Sequence, residues 1–369
     1  MGKLNDLEAL GQAIWLDFVD RKFLAEGGLQ KLVDEDGVTG VTSNPTIFQK
    51  AMGEGTAYDA SLADFDRANP GAPAMDRYEH LAIEDIKAAA DTLRPIYDAL
   101  GGKDGYVSLE VSPYLANDTD ATIAEAARLW AAVDRPNLMI KIPGTPAGVP
   151  AIAATIAAGI NVNVTLLFSI DAYKAVAMAY VEGLEQRVAR GEPIDRIASV
   201  ASFFVSRIDS KIDDAIDAGK GGEEAKALKG KVAIANAKVA YAWYQEFVAS
   251  DRWRALAGKG AMPQRLLWAS TGTKNPDYPD TLYLDTLIGP DTVNTVPPKT
   301  LDAFRERGTV AATLTQDQGD ARHVLAETAR LGLDLDGVTE TLVEEGVASF
   351  SKSFDELLGS IAAKHPADA

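Results

Sequence analysis

Short apolar runs alternate with longer amphipathic stretches along most of the chain. The apolar runs have the length and composition of buried strands. Eight of them are predicted to be strands: residues 13–18, 37–41, 106–111, 138–142, 160–165, 198–202, 265–270 and 292–296. Helical periodicity predicts the intervening helices over residues 77–100, 120–133, 150–158, 170–190 and 221–250.

The alternation of strands and helices indicates the fold class. Repeated strand–helix units predict a parallel sheet, and eight strands predict closure into a (β/α)8 TIM barrel with additional helices. A doubly wound open sheet is the competing fold, but neither G-x-G-x-x-G nor G-x-x-x-x-G-K-[ST] occurs at a strand–helix turn. The α/β barrel is therefore the better prediction.

Two segments extend beyond what a simple barrel needs. Residues 45–76 form an excursion with several Gly and Pro residues after the second strand, and residues 212–262 contain the stretch GKGGEEAKALKGK. We predict that both are surface decorations or oligomer contacts, covering either the barrel mouth or a neighbour. No Pro-, Gly- or Ser-rich linker and no internal repeat divides the chain, so residues 1–369 are predicted to form a single domain.

Charge and composition exclude several classes of function. The formal net charge is −18, from 36 Lys+Arg against 54 Asp+Glu, and such a field repels nucleic acid and anionic membranes. Cysteine is absent, which excludes disulfides, cysteine nucleophiles and thiolate metal sites. The three histidines, His80, His323 and His365, have no metal-ligand spacing. We therefore expect no cofactor and no histidine-bound metal, while carboxylate-bound magnesium is left open.

Membrane insertion and export are also disfavoured. Residues 142–170 carry no charge, but proline, glycine and asparagine interrupt them, so they predict a buried helix followed by a buried strand. At the N-terminus, Asp6 and Glu8 stand where a signal peptide needs an apolar region. We expect a cytoplasmic protein.

Polar residues on the predicted inner strand faces mark candidate chemistry. Side chains alternate across a strand, so several polar side chains would point into the barrel near the carboxyl ends of strands, where barrel enzymes build active sites. They are Asp17 with Trp15, Glu110, Lys141 with Met139, and Asn161, Asn163 and Thr165. A buried ion pair of Lys141 with Glu110 or Asp17 is the structural alternative, but such pairs explain stability poorly.

This residue set suits Schiff-base aldol chemistry. A lysine in a low dielectric loses its preference for the charged form, and the neutral amine attacks a ketone to give a Schiff base. Two carboxyl groups can then have separate proton-transfer roles, one in carbinolamine dehydration and one in cleavage of the C–C bond. A metal-dependent aldol mechanism would want a histidine cluster, which the chain lacks.

Five segments, in chain order, resemble the transaldolase family. GVTSNPT at 40–46 is similar to its T-[TS]-N-P segment, MIKIP at 139–143 to the segment of its Schiff-base lysine, and NVNVTLLFS at 161–169 to its N-x-T-L-x-F-S signature. ASFFVSR at 201–207 and LWASTGTKN at 267–275 resemble its phosphate-holding segments. The set resembles the long bacterial and plant-type subfamily of these class I Schiff-base aldolases.

The resemblance implies a role for each matching residue. Lys141 would form the Schiff base, Glu110 would activate a catalytic water that Thr165 positions, and Asp17 would act as acid and base at the substrate hydroxyl. Substrate would be held by a further set: Thr42, Asn44, Asn163, Ser202, Arg207, Ser270 and Lys274. Many members place a second arginine after the Ala-Ser of the seventh strand, whereas here Thr-Gly-Thr precedes Lys274. The second phosphate-binding cation is therefore left open.

The reaction implied by the resemblance belongs to the non-oxidative pentose phosphate pathway. It transfers a dihydroxyacetone unit from sedoheptulose 7-phosphate to glyceraldehyde 3-phosphate, giving erythrose 4-phosphate and fructose 6-phosphate. The alternatives are a fructose 6-phosphate aldolase, a shorter lyase with glutamine and tyrosine in place of Glu110 and Phe204, and a barrel that binds sugar phosphates without turnover. The expected assembly is a monomer or homodimer.

Overall fold

The computed structural model describes residues 2–53 and 55–364, and its centre is a closed barrel of eight parallel strands. Each strand pairs with the next one in the chain, and the last pairs with the first. The strands are β1 Gln12–Leu16, β2 Val38–Val41, β3 Tyr106–Glu110, β4 Leu138–Pro143, β5 Val162–Leu167, β6 Ser199–Phe204, β7 Arg265–Ala269 and β8 Thr292–Val296. The barrel with surrounding helices confirms the predicted TIM-barrel class.

Helices connect and surround the strands. Those of the described residues are α1 Lys3–Ala9, α2 Arg21–Ala25, α3 Gly28–Asp36, α4 Pro45–Gly53, α5 Asp59–Ala68, α6 Ala74–Ala99, α7 Thr119–Val133, α8 Gly148–Ala157, α9 Ile170–Ala189, α10 Ser206–Asp217, α11 Gly222–Ala225, α12 Val232–Val248, α13 Asp251–Ala257, α14 Leu282–Asp285, α15 Pro298–Arg307, α16 Gln318–Arg330 and α17 Leu335–Lys364. Two short 3₁₀ turns span Pro113–Leu115 and Lys226–Leu228.

One predicted helix is wrong as a single element. The periodicity over 221–250 predicts one long helix, but the structure divides it into α11, a 3₁₀ turn and α12. The break before α12 contains Gly230, whose left-handed backbone angle has φ of +69°, while Gly221 and Gly222, with φ of +72° and +66°, lie at the start of α11. Such angles are available to glycine and interrupt a right-handed helix.

The uncharged stretch 142–170 folds as predicted, with a helix followed by a strand. Most residues of α8 and all residues of β5 are buried. A strand that is covered on both faces is apolar on both, and a tightly packed helix is apolar around most of its surface. Among the helices of the described residues, none has both the length and the apolarity needed to cross a membrane.

The amino-terminal end of the barrel is filled by side chains. The indole of Trp15 donates to Oδ1 of Asp104 over 2.9 Å, and Arg265 contacts Oδ2 of Asp104 at 3.2 Å. Gly40 lies against this indole, because a Cβ there would come within 2.4 Å of the ring. Trp15 thus closes the amino-terminal end, and the polar pocket lies at the opposite end.

The two excursions have different neighbours. In the first, α4 packs against α17, and both helices reach the mouth of the barrel. In the second, α12 buries an apolar face against α9, α10 and α16. The first excursion therefore contributes to the pocket, and the second forms part of the helical layer.

Candidate active site

A pocket of about 380 Å³ opens at the carboxyl ends of the strands. Nine of the eleven predicted site residues line it: Asp17, Thr42, Asn44, Lys141, Thr165, Ser202, Arg207, Ser270 and Lys274. The other two, Glu110 and Asn163, are buried next to residues that line it. Strand ends that are far apart in the chain are thus brought to one site, as in other barrels.

Lys141 and Glu110 form a buried ion pair. They are register partners on β4 and β3, so their side chains lie side by side, with Nζ 3.3 Å from Oε2. The Lys141 ammonium also donates to the backbone oxygen of Ser43 over 3.1 Å. Burial raises the pKa of Glu110 above its usual value, and the opposing charge of Lys141 reduces the increase without cancelling it. Glu110 is therefore suited to hold and release a proton beside the amine.

A second carboxyl group, Asp17, follows the end of β1. Thr42 donates its hydroxyl to Oδ1 of Asp17 over 2.7 Å, and its oxygen lies 2.6 Å from the hydroxyl oxygen of Thr295. These contacts fix the position of the carboxyl group. Burial raises the pKa of Asp17, while the nearby charge of Lys141 lowers it less. Two carboxyl groups with a raised pKa thus lie near one lysine.

Thr165 has a hydroxyl that is free to bind water. Its Oγ1 is buried and has no hydrogen-bond partner among the described residues. The next residue, Leu166, has φ of +59°, an uncommon angle for a residue with a side chain, and the pairing of β5 with β6 shifts at this point. Such local strain is concentrated at functional sites.

Asn163 lies beneath the pocket. It is fully buried, donates from Nδ2 to Ser108 over 2.9 Å, and accepts from the Ser202 hydroxyl over 2.7 Å. In this arrangement Asn163 holds Ser202 in place, and Ser202 lines the pocket. Asn44 is held differently, since its Oδ1 accepts from the backbone N–H of Ile47 over 2.9 Å at the start of α4.

Three cations converge at the mouth of the pocket. Arg207 comes from the first turn of α10, Lys274 from the segment after β7, and Lys50 from α4. Burial lowers the pKa of Lys274, and the like charges of Arg207 and Lys50 lower it further. Within the described residues, none of the three forms an ion pair with a carboxylate. Repelling cations that lack partners and surround a pocket form a site for an anion such as phosphate.

The anion site has further donors. The Ser206 and Ser270 hydroxyl oxygens lie 3.0 Å apart, and Ser270 adopts φ of +55° beside the first turn of α10. The guanidinium of Arg207 lies 5.3 Å from the centre of the Phe204 ring. A helix amino terminus next to a partly buried arginine is a favourable environment for phosphate.

Comparison with known proteins agrees with this geometry. A family model described as transaldolase/fructose-6-phosphate aldolase matches residues 14–361. The chain belongs to this family. A transaldolase of Parafrankia sp. (strain EAN1pec) is 52% identical over 359 residues, which cover 97% of this chain and 96% of the relative. A transaldolase of Thermobifida fusca (strain YX) is 51% identical over 360 residues, with 97% of each chain covered.

A third relative matches over a similar length. A transaldolase of Trichodesmium erythraeum (strain IMS101) is 48% identical over 370 residues, covering 98% of this chain and 97% of the relative. The resemblance inferred from the five sequence segments is therefore confirmed at the level of the family.

Lys50 and Phe350 are among the pocket residues of this family member that sequence reasoning missed. Lys50 lies in α4, a few residues after the T-S-N-P segment. A basic residue so soon after β2 was a signal that could have identified it. Phe350 lies in α17, and its ring centre is 5.8 Å from Nζ of Lys141. An apolar residue in the last helix carries no such signal, because only the path of α17 across the barrel brings it to the pocket.

Proposed function

We propose that Lys141, Glu110 and Asp17 carry out the transaldolase reaction in this chain. The reaction transfers a dihydroxyacetone unit from sedoheptulose 7-phosphate to glyceraldehyde 3-phosphate, with erythrose 4-phosphate and fructose 6-phosphate as products. The observation that carries the proposal is the buried Lys141–Glu110 pair, 3.3 Å apart beside the sugar-phosphate pocket. It joins a nucleophile to a proton carrier, which Schiff-base formation requires.

Lys141 begins the reaction after it has passed its ammonium proton to the Glu110 carboxylate, which must therefore be deprotonated at the start. Its Nζ attacks the ketone carbon of the donor, and the ketone oxygen becomes the hydroxyl of a carbinolamine. Glu110 supplies a proton through a water molecule that Thr165 holds, and the hydroxyl leaves as water. The carbon–nitrogen double bond that forms carries a positive charge and can accept an electron pair.

Asp17 controls cleavage of the C–C bond. Its carboxylate takes the proton of the C4 hydroxyl, the C3–C4 bond breaks, and the aldehyde product leaves. The bonding electron pair moves toward the iminium nitrogen and forms an enamine on Lys141. Addition of the acceptor aldehyde reverses these steps, with Asp17 returning the proton to the new hydroxyl. The raised pKa of Asp17 suits both directions.

The other pocket residues bind the substrate. Arg207, Lys274, Ser270 and Lys50 hold the phosphate, so in this proposal two lysines take the place of a second arginine. Asn44 and Ser202 bind sugar hydroxyls. Asn163 accepts the hydrogen bond of Ser202 and so holds it beside the sugar. Thr42 orients Asp17 in the same way.

A lyase that releases free dihydroxyacetone is the second candidate. Glu110 and Phe204 both support transfer, because this lyase has glutamine and tyrosine in their places. The Phe204 ring packs 5.1 Å from the Phe168 ring and presents an apolar wall to the pocket. An apolar wall offers no proton to the enamine before the acceptor arrives. If free dihydroxyacetone forms from the donor without an acceptor aldehyde as fast as fructose 6-phosphate forms when glyceraldehyde 3-phosphate is present, the chain is a lyase.

Borohydride trapping tests the proposal directly. The protein is incubated with fructose 6-phosphate, reduced, and analysed by intact mass and peptide mapping. We expect one reduced sugar adduct on Lys141, and none in Lys141→Met. Lys238→Met is the matched control, because Lys238 of α12 lies outside the pocket and burial lowers the pKa of its amine. An adduct on another lysine, or none in folded protein, would refute the Schiff-base assignment.

We also propose a cytoplasmic enzyme that acts as a monomer or homodimer on small sugar phosphates, without nucleic acid or membrane partners. The net charge of −18 and the absence of cysteine support this proposal. Light scattering at micromolar concentration tests the assembly, and a larger particle would contradict it. Cell fractionation tests the location, and recovery with membranes would contradict it.

A further inference from the structure

A second cavity adjoins Glu110 but is separate from the sugar-phosphate pocket. Its wall is built from β3, α4, α6, α7 and α17, and it includes Glu110, Ser112 and Tyr78. Neither Lys141 nor Thr165 lines it, whereas both line the pocket. The space open to water is about 20 Å³, and a buried water needs about 10–15 Å³ by this measure. One water, or at most two, therefore fits next to Glu110.

The cavity wall contains polar atoms with unused hydrogen-bonding capacity. Apart from the 3.3 Å contact of Oε2 with the Lys141 amine, the two carboxylate oxygens of Glu110 have no hydrogen-bond partner in the described part of the chain, and neither has the buried hydroxyl oxygen of Ser112. The Tyr78 hydroxyl makes no hydrogen bond there either. Apolar cavities stay dry, but a cavity with two to four polar partners holds ordered water. This cavity has enough polar partners to hold ordered water.

Tyr78 is held rigidly at this cavity by two aromatic neighbours. Its ring packs edge-on against Phe48 of α4 at 5.8 Å and against Phe354 of α17 at 5.1 Å. Burial raises the pKa of Tyr78, and so do the charges of Glu110, Glu79 and Glu125, all three of which line the cavity. The phenol is therefore neutral and retains a proton to donate.

The outer wall of the cavity leads toward solvent. The backbone N–H of Ser112 donates to Glu125 over 2.7 Å, and Arg128 bridges Glu125 and Glu79. The side chains of Glu79 and Glu125 are 18% and 19% exposed. Glu110 is thus faced by Lys141 and Asp17 on one side, and by Tyr78, Glu79 and Glu125 across the cavity.

We infer that Tyr78 and Ser112 hold a water molecule against the Glu110 carboxyl group, and that this water sets the proton affinity of Glu110 during Schiff-base formation. The inference rests on the proposed function. Tyr78 donates to the water, and the water donates to a carboxylate oxygen that the Lys141 ammonium leaves free. Tyr78 is a positioning residue, because it reaches the substrate only through the water and Glu110.

Tyr78→Phe tests the inference through the pH dependence of kcat. Loss of the donor makes the Glu110 carboxylate less stable, so its pKa rises and the acid limb of kcat moves upward by about one pH unit. Below that limb kcat is expected to fall about tenfold, while KM for fructose 6-phosphate changes less than about twofold. Ser112→Ala is expected to move the limb in the same direction.

Tyr244→Phe is the matched control, because the Tyr244 hydroxyl on α12 is buried, has no hydrogen-bond partner among the described residues and does not line this cavity. It should leave the pH profile unchanged. A uniform loss of kcat in Tyr78→Phe, with an unmoved limb, would mean that Tyr78 only packs, and it would overturn the inference. Thermal unfolding checks that each variant is folded. If Tyr78→Phe does not fold, Ser112→Ala carries the test alone.

A crystal structure of the wild-type protein provides an independent test. We expect ordered water within hydrogen-bond distance of the Tyr78 hydroxyl and a Glu110 oxygen, and a dry cavity would overturn the inference. Borohydride trapping separates this result from the proposed function. If wild-type protein forms the Lys141 adduct and the acid limb of kcat does not move in Tyr78→Phe, only the role of Tyr78 is refuted. A wild-type protein that forms no adduct refutes the proposed function itself.

Discussion

The ammonium nitrogen of Lys141 lies 3.3 Å from Oε2 of Glu110, and the two side chains are 5% and 4% exposed. Removing both charges from water is costly, so a buried pair of this kind is a poor source of stability. The carboxylate has no hydrogen-bond donor besides this amine among the described residues, and its pKa stays raised. The pair is therefore better explained by reactivity than by folding.

Replacing the whole pair is expected to stabilise the protein while abolishing activity. The double variant Lys141→Met, Glu110→Gln removes both buried charges at similar volume, and we expect its free energy of unfolding to rise by about 1–4 kcal/mol. Glu110→Gln alone leaves the lysine without its partner and should lose about 3–5 kcal/mol. Urea unfolding at neutral pH measures both. A double variant less stable than the wild-type protein would show that the pair stabilises the fold.

Arg207 is expected to contribute most to phosphate affinity. Its planar group can form two charge-assisted hydrogen bonds to one phosphate, so Arg207→Ala should raise KM for fructose 6-phosphate about 10–100-fold. Lys274→Ala and Lys50→Ala should have smaller effects, because a lysine acts as a point charge. Lys50 is exposed, so its effect should be the most sensitive to salt.

The control for these cations is on the same helix as Arg207. Lys211 of α10 pairs with Glu345 at 2.6 Å and does not line the pocket. Lys211→Ala should leave KM unchanged at low and high salt. An unchanged KM for Lys50→Ala at low salt would remove Lys50 from the phosphate site.

The barrel could be predicted from the sequence because its strands are covered on both faces. Strands such as β4 and β5 have continuous apolar or small residues on the outer face, and their bounds differ from the prediction by no more than two residues. The division of 221–250 could not be read from periodicity. The apolar spacing continues across Gly230, but this glycine adopts a left-handed angle, and a Cβ there would come within 2.8 Å of the Tyr278 ring.

The candidate site was predictable where the alternation of side chains along a strand determines which of them point into the barrel. Glu110 and Lys141 lie on inward faces of neighbouring strands, so their proximity follows from parallel register. Asn161 was expected to point inward with them, but it lies before β5 and its amide donates to the backbone oxygens of Pro136 and Leu138. Phe350 could not be predicted, because no local pattern gives the path of α17 over the pocket.

Gly346 of α17 is expected to be needed for the position of Thr165. A Cβ at Gly346 would lie 2.7 Å from Cδ2 of Leu166, the residue with left-handed backbone that follows Thr165. Gly346→Ala should therefore lose about 1–3 kcal/mol of stability and lower kcat about tenfold or more. Gly359→Ala on the same helix is the control, since a Cβ there meets nothing within 4 Å. Equal kcat values for the two variants would contradict the role of Gly346.

Asp209 of α10 is expected to make stability depend on pH near neutrality. Burial raises its pKa to about 7, while its oxygens accept from the Ala233 N–H and the Tyr283 hydroxyl. The unfolded carboxyl titrates near about 3.9, so between about pH 4 and 7 the folded chain retains a proton that the unfolded chain has lost. Stability then falls as pH rises through this window and levels off above it. Asp209→Asn removes this dependence, so its Tm relative to wild type should increase from pH 4 to pH 7. The exposed Asp214→Asn should show a constant difference, and a constant difference for Asp209→Asn would mean that Asp209 titrates as an ordinary carboxyl group.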